Sequence, residues 1–158
     1  MTSPQVHEVA IKLRYRDLNL AAHIDNVEAM RLTDEARLEF LRFARLDTAA
    51  GPRTGLLATL PDGVSELVAG LTVDFRSEMM FDAYEPYVCR MWVSRLGNSS
   101  FDLSTEMRTA PGREPALVSV ASLVLRDNVS GQVWSMDEST RELFSEFLAD
   151  PVALRPRS

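Results

Sequence analysis

The stretch "KLRYRDLNLAAHIDNVEAMRLTDEARLEFLR", Lys12 to Arg42, holds the two patterns from which the rest of the chain is read. On its N-terminal side His7, Val9, Ile11, Leu13 and Tyr15 alternate with Glu8, Lys12, Arg14 and Arg16. A period of two with one apolar face predicts a half-buried strand. The same parity carries Asp17 and Asn19 onto the inward face, where the strand runs out. Polar groups ending a core-facing row need partners, so this is the first sign of a site. From about Asn26 to Arg45 the period changes. Met30, Thr33, Arg37, Phe40, Leu41 and Ala44 fall at three-four spacing, with no Gly or Pro before Gly51 and Pro52, which predicts one long helix. "IDNVE" reads as a capping box, with Asp25 as N-cap and Glu28 three residues on.

Beyond the helix the pattern turns to strands. "TAAGPRTG" is a loop by composition, "GLLATL" a short strand and "PDG" a turn. "SELVAGLTVDF" sets Leu67, Ala69, Leu71, Val73 and Phe75 against Glu66, Thr72 and Asp74. "YVCRMWVSR" and "SFDLSTEMR" flank "LGNS", a tight-turn signal. "ALVSVASLVL" is apolar on both faces, as an interior strand is. A short "QVWSM" follows, then "MDESTRELFSEFL", a second helix opened by Ser135 or Asp137. The tail, residues 149–158, reads as loose. One long helix cannot cover both faces of such a sheet, so the surplus predicts a homodimer or dimer of dimers.

Composition removes several function classes. The 158 residues suit a single domain, 1–158 with its core over about 6–148. A net charge of −6 argues against a nucleic-acid binder, which needs a basic face. No apolar run nears the roughly 18 residues of a membrane span, and "MTSPQVHEV" lacks a signal-peptide core, so a cytoplasmic protein is expected. One cysteine, Cys89, excludes an internal disulfide and reads as a small buried residue. Two histidines and one cysteine make no zinc constellation, and no metal or cofactor is expected. "NVS" at Asn128 matches a glycosylation sequon, which means nothing without a secretory route.

The same stretch resembles the opening of hot-dog fold acyl-CoA thioesterases of the 4-hydroxybenzoyl-CoA thioesterase type. Their pattern is a strand, an Asp-x-Asp pair, a Gly-His-Val-Asn-Asn-like turn, and a helix carrying Glu-Ala-Arg-x-Glu-Phe-Leu. "EARLEFLR" matches the last of these, and "LTVDFRSEM" and "VSRLGNSSFDL" resemble the family's third strand and hairpin. The resemblance covers Val6 to Leu148. It implies an α+β fold, a long central helix wrapped by a curved antiparallel sheet of five to six strands. It also implies hydrolysis of an acyl-CoA thioester to acid and CoA, in a channel at a subunit interface.

Hydrolysis needs a held or deprotonated water and donors for the oxyanion. Free amides at the helix start, near Asn26 and Val27, are natural donors. The family's usual catalytic carboxylate falls at Asn19, and an amide cannot take a proton. Asp17 and the helix residue Asp34 are the alternative bases. Asp17 reads equally as a structural anchor, and Asp34 as an ion pair with Arg31 or Arg37. His23, the motif histidine, serves in acid–base work or braces the loop. Asn26 orients substrate or supports the helix start. Phosphates of the carrier call for local cations: Arg95 matches a basic segment that contacts the nucleotide end in related enzymes, with Asn98 and Ser99 as neutral donors and Arg76 behind them. Arg95 otherwise reads as a solvent-facing strand residue. Two other activities fit the motif more loosely. "DLNLAAHID" approximates the signature of hot-dog enoyl-CoA hydratases, with one extra residue before His23. The Asn19 change also fits a dimer that binds acyl-CoA or an acyl carrier without turnover.

Overall fold

The computed structural model describes residues 3–157. Strands β1 (His7–Ile11), β4 (Val64–Phe75), β5 (Tyr87–Leu96), β6 (Ser100–Arg108) and β7 (Leu117–Asp127) form one antiparallel sheet in the order β1-β5-β6-β7-β4. A hairpin of β2 (Arg45–Thr48) and β3 (Gly51–Thr54) stands apart. Helix α1 (Asn26–Leu38) continues as a π turn over Glu39–Phe43, and α2 (Glu138–Ser145) follows the sheet. This is the expected α+β arrangement of one long helix against a five-stranded sheet. Ala29, Leu32, Ala36, Phe40 and Leu41 of the helix share one core with Cys89, Met91, Val93, Phe101, Leu103, Met107, Leu117 and Leu123 of the inner sheet face. Strand β7 is interior, as its double apolar face requires.

Local chemistry sets the helix ends. Asp25 caps α1, its carboxylate accepting from the Val27 amide at 2.9 Å. The capping box does not form, because Glu28 turns to Arg31, with a 2.5 Å contact to Nε. Thr33, Phe40, Leu41 and Ala44 of the predicted stripe are buried, joined by Ala29, Leu32 and Ala36, whereas Met30 is exposed and Arg37 only partly buried. Asp137 caps α2 through the Thr140 amide.

Several predicted strands take other forms. The first strand ends at Ile11, and a 3-10 turn over Tyr15–Asp17 breaks its parity, so Asp17 is buried while Asn19 is exposed. "TAAGPRTG" is not a plain loop but the β2–β3 hairpin with its tip. "GLLATL" is a chain of turns, in which Leu56 and Leu57 donate amides to Phe40 and Leu41 at the end of the helix. "QVWSM" makes only the isolated pairing of Val133 with Arg126. In β4 a bulge between Val68 and Gly70 shifts the register, so Val68 joins Leu71, Val73 and Phe75 on the helix side and Leu67 turns outward.

The tail is not loose. Ala149 donates to Val93 O at 2.9 Å, Trp92 Nε1 to Asp150 O at 2.8 Å, and the Val152 amide to Ser104 Oγ at 3.1 Å. The Arg155 amide then reaches Asp74 Oδ2 at 2.6 Å. Residues 149–157 therefore strap the outer sheet face from β5 to the end of β4. Trp92 and Val118, outward-pointing by register, lie buried on that face. Part of the apolar surplus predicted for a partner is thus covered by the chain's own end. What stays open is the β4 edge, where Leu67, Val68 and Leu71 are 44%, 47% and 38% exposed.

Candidate functional site

The loop between β1 and α1 is tied down through Asp17, Asn19 and Ile24. Asp17, fully buried, accepts from the Arg14 amide at 2.8 Å and from Arg31 Nη2 at 2.9 Å. Burial pushes its carboxyl up, but the Arg14 amide and the Arg31 and Arg14 guanidinium groups outweigh that and hold it below the usual carboxylate range. Asn19 Oδ1 accepts from the Ala21 amide at 2.9 Å and the His23 amide at 3.2 Å, while its own amide donates to His23 O at 2.8 Å. This clamp turns the chain through Ala22, at φ +63°, and sets His23 beside the helix start. Ile24 then donates to Met79 O at 2.7 Å, stitching the loop to the segment after β4.

That stitch builds a pocket of about 320 Å³ lined by Asn19, His23, Asn26, Arg76, Glu78 and neighbouring residues. His23 Nδ1 lies 3.8 Å from Glu78 Oε2. Sequence reasoning missed Glu78. It follows the last inward residue of β4 by three positions, and only the long-range pairing of His23 with Met80 brings it to the loop.

The four suspected catalytic positions do not come together in space. Asn19 and His23 face this pocket, as does Asn26, but Asp17 is not among its walls. Asp34 lies further along α1, exposed and paired with Arg37 at 2.7 Å, beside a groove containing Glu66 and Val68 of β4. At the helix start the Val27 amide is taken by Asp25, and the Val27 side chain is exposed. Arg95, Asn98 and Ser99 sit at the opposite end of the sheet. The Leu125 amide donates to Ser99 O, whereas Phe75 pairs with Leu117, eight residues away on β7. At about 3.3 Å per residue the two ends are roughly 26 Å apart. Arg95 is held in a two-pronged pair with Asp102, both contacts 2.9 Å.

Burial pushes the Cys89 thiol up to about 12, which suits its place in the core and not a nucleophile's. Among the described residues no group of three or more His, Cys, Asp or Glu is placed to hold a metal ion. No described helix is long and apolar enough to cross a membrane.

Comparison with known proteins bears on the family and the fold. The model of the thioesterase-like superfamily matches residues 13–144. No curated protein sequence matches the chain. Among solved structures it is similar to DHNA-CoA thioesterase from Staphylococcus aureus, at 16% identity and TM-score 0.69, over 89% of each chain. It is similar to a thioesterase superfamily protein from Jannaschia sp. CCS1, at 19% identity and TM-score 0.69, covering 93% of this chain and 94% of that one. A thioesterase from Thermus thermophilus, solved with coenzyme A and Zn, matches at 19% identity and TM-score 0.65, covering 90% of this chain and 98% of that one. The likeness at these identities is one of fold, and the family match spans most of the sequence: the chain is a hot-dog fold member of the thioesterase-like superfamily.

Proposed function

We infer that the protein hydrolyses an acyl thioester of CoA or of an acyl carrier, with His23 as general base and Glu78 as its orienting partner. The observation that carries this reading is the 3.8 Å approach of His23 Nδ1 to Glu78 in a pocket shared with Asn19 and Asn26. Closing of the Glu78 carboxylate from 3.8 Å to hydrogen-bond distance of Nδ1 would favour the tautomer whose Nε2 accepts a proton. His23 takes that proton from water, and the hydroxide adds to the thioester carbonyl carbon. The oxyanion is met by the Asn26 amide at the positive end of α1, while the Asn26 side chain orients the acyl group. Collapse breaks the C–S bond, and the leaving thiolate takes the proton from the imidazolium. Asn19 serves as the clamp that aims His23. Asp17, locked by Arg31 and Arg14, anchors the loop to the helix, and Asp34, paired with Arg37 beside a different groove, has no part in this step.

A two-fold dimer through β4 completes this reading. Antiparallel pairing of two β4 edges makes one continuous sheet and lays each Phe75 end beside the partner's Val64 end. The partner subunit's Arg95, Asn98 and Ser99 then arrive at the same end as the pocket, which resolves their separation within one chain. The substrate lies across that seam.

The test is a panel of acyl-CoA thioesters of increasing chain length with colorimetric detection of free thiol. Thiol release on at least one substrate is the expected result. Loss of enoyl absorbance from crotonyl-CoA without thiol makes the protein a hydratase. Tight binding with no chemistry on any substrate makes it a non-catalytic acyl-CoA or acyl-carrier binding protein.

A further inference from the structure

We propose that Arg76 and Arg155 form a phosphate-recognising corner at the rim of the candidate site, with the C-terminal strap as part of the binding site. This rests on the thioester reading of the adjoining pocket. Arg76 lines that pocket and its Nη2 donates to Ala153 O of the strap. Where the strap crosses β4, Arg155 Nη2 donates to Phe75 O at 2.9 Å. Both guanidinium groups are therefore fixed by neutral backbone carbonyls, which orient them without cancelling their charge. Neither has a carboxylate partner within ion-pair distance among the described residues; other arginines share that, but these two are held together at one end of β4, beside the pocket. Two carboxylates lie near. Asp74 is engaged by the Arg155 amide, and Glu78 faces His23.

Two oriented cations with no direct ion-pair partner among the described residues, beside the carboxylates of Asp74 and Glu78, can receive a compact anion that outcompetes those neighbours. Ordering a tail of this length costs about 1–2 kcal/mol per residue in backbone entropy. The strap's hydrogen bonds with Trp92, Ser104 and Asp74 offset part of that cost, and its far end brings Arg155 to Phe75 at the pocket rim. Pro151 and Pro156 limit the freedom of the free tail and lower the entropy to be lost. The group recognised is a phosphate of the thioester's carrier, either the nucleotide end of CoA or the 4′-phosphate of phosphopantetheine.

The experiment uses the full chain and its Arg76→Gln and Arg155→Gln variants; Arg155→Gln keeps the backbone amide on Asp74. One acyl group is presented as its CoA, 4′-phosphopantetheine and N-acetylcysteamine thioesters, and free CoA binding is measured by calorimetry. Each variant removes one charge-assisted hydrogen bond to phosphate. That should weaken free CoA binding and raise KM for the CoA thioester about tenfold, with kcat held. KM for the phosphate-free N-acetylcysteamine thioester should move less than about twofold, since that substrate carries no anion for the corner to hold. If the phosphopantetheine thioester shares the loss, the 4′-phosphate is the group bound; if it does not, the nucleotide end is. Unchanged CoA binding in Arg155→Gln, or an equal KM loss on all three thioesters, overturns the proposal. The hydrolysis reading fails separately: a wild-type chain that releases no thiol but loses CoA affinity through Arg155→Gln keeps the corner and discards the chemistry.

Discussion

Ala22 is the only non-glycine residue with positive φ among the described residues, at +63°. The family pattern has glycine at this turn, and a Cβ in the left-handed region costs about 1–2 kcal/mol. The Asn19 clamp holds the strain in place. Ala22→Gly should therefore stabilise the protein by about 0.5–1 kcal/mol, part of the relief being offset by the freer unfolded chain. Urea unfolding checks this, and a loss of stability would contradict the strain. Asp17 makes a second case. Its folded-state pKa is lowered, so its contribution is complete above the unfolded value near pH 4 and is withdrawn as pH falls through the folded value. Asp17→Asn should cost about 1–3 kcal/mol at neutral pH, and its stability should fall less steeply than wild type below about pH 4. Parallel curves in acid would show that Asp17 is no such anchor. The sequence marked both Asp17 and Asn19 as polar residues near a core-facing row. It could not tell the buried anchor from the exposed clamp, because the 3-10 turn over Tyr15–Asp17 breaks the strand parity that put both on the inward face.

Among the elements, the long helix was legible from its three-four spacing, β1 from alternation, β5 and β6 from the turn signal between them, and β7 from a run apolar on both faces. The hairpin at Arg45–Thr48 and Gly51–Thr54 was not, since strands of four residues with Pro and Gly read as loop. Nor was the β4 bulge, because alternation of Leu67, Ala69 and Leu71 looks unbroken until the pairing with β7 is known. The strap illustrates the same limit: "PVALRPRS" has no period, and its order comes from the sheet it crosses. Gly55 shows how closely such elements meet. At φ +79° it lies against the helix end, where a Cβ would run into the Leu41 carbonyl and the Arg42 backbone. Gly55→Ala should cost about 3 kcal/mol or more, read as a fall in the urea midpoint. A near-neutral variant would mean the turn can move off the helix.

For the whole molecule, the exposed apolar edge of β4 is the feature that a lone subunit leaves unexplained. The sequence foresaw an apolar surplus but assigned it to the outer face of β7, which the strap partly covers. The open surface lies one strand further out. On the proposed β4 pairing, wild type should sediment as a dimer and Val68→Lys, at a position 47% exposed, as a folded monomer that has lost thiol release. A variant that remains dimeric would place the interface elsewhere.

The pocket itself was half legible: Asn19, His23 and Asn26 announced themselves by motif, while Glu78 and Arg155 arrive through long-range pairings that no local pattern encodes. Whether His23, oriented by Glu78, activates the water is decided by single-turnover thiol release from the best acyl-CoA substrate. Wild type is compared with His23→Gln at matched CoA occupancy. The chemical step should slow by about 10²–10⁴-fold, with CoA affinity kept within a few-fold. A His23→Gln protein that releases thiol at the wild-type rate would show that the water is activated elsewhere.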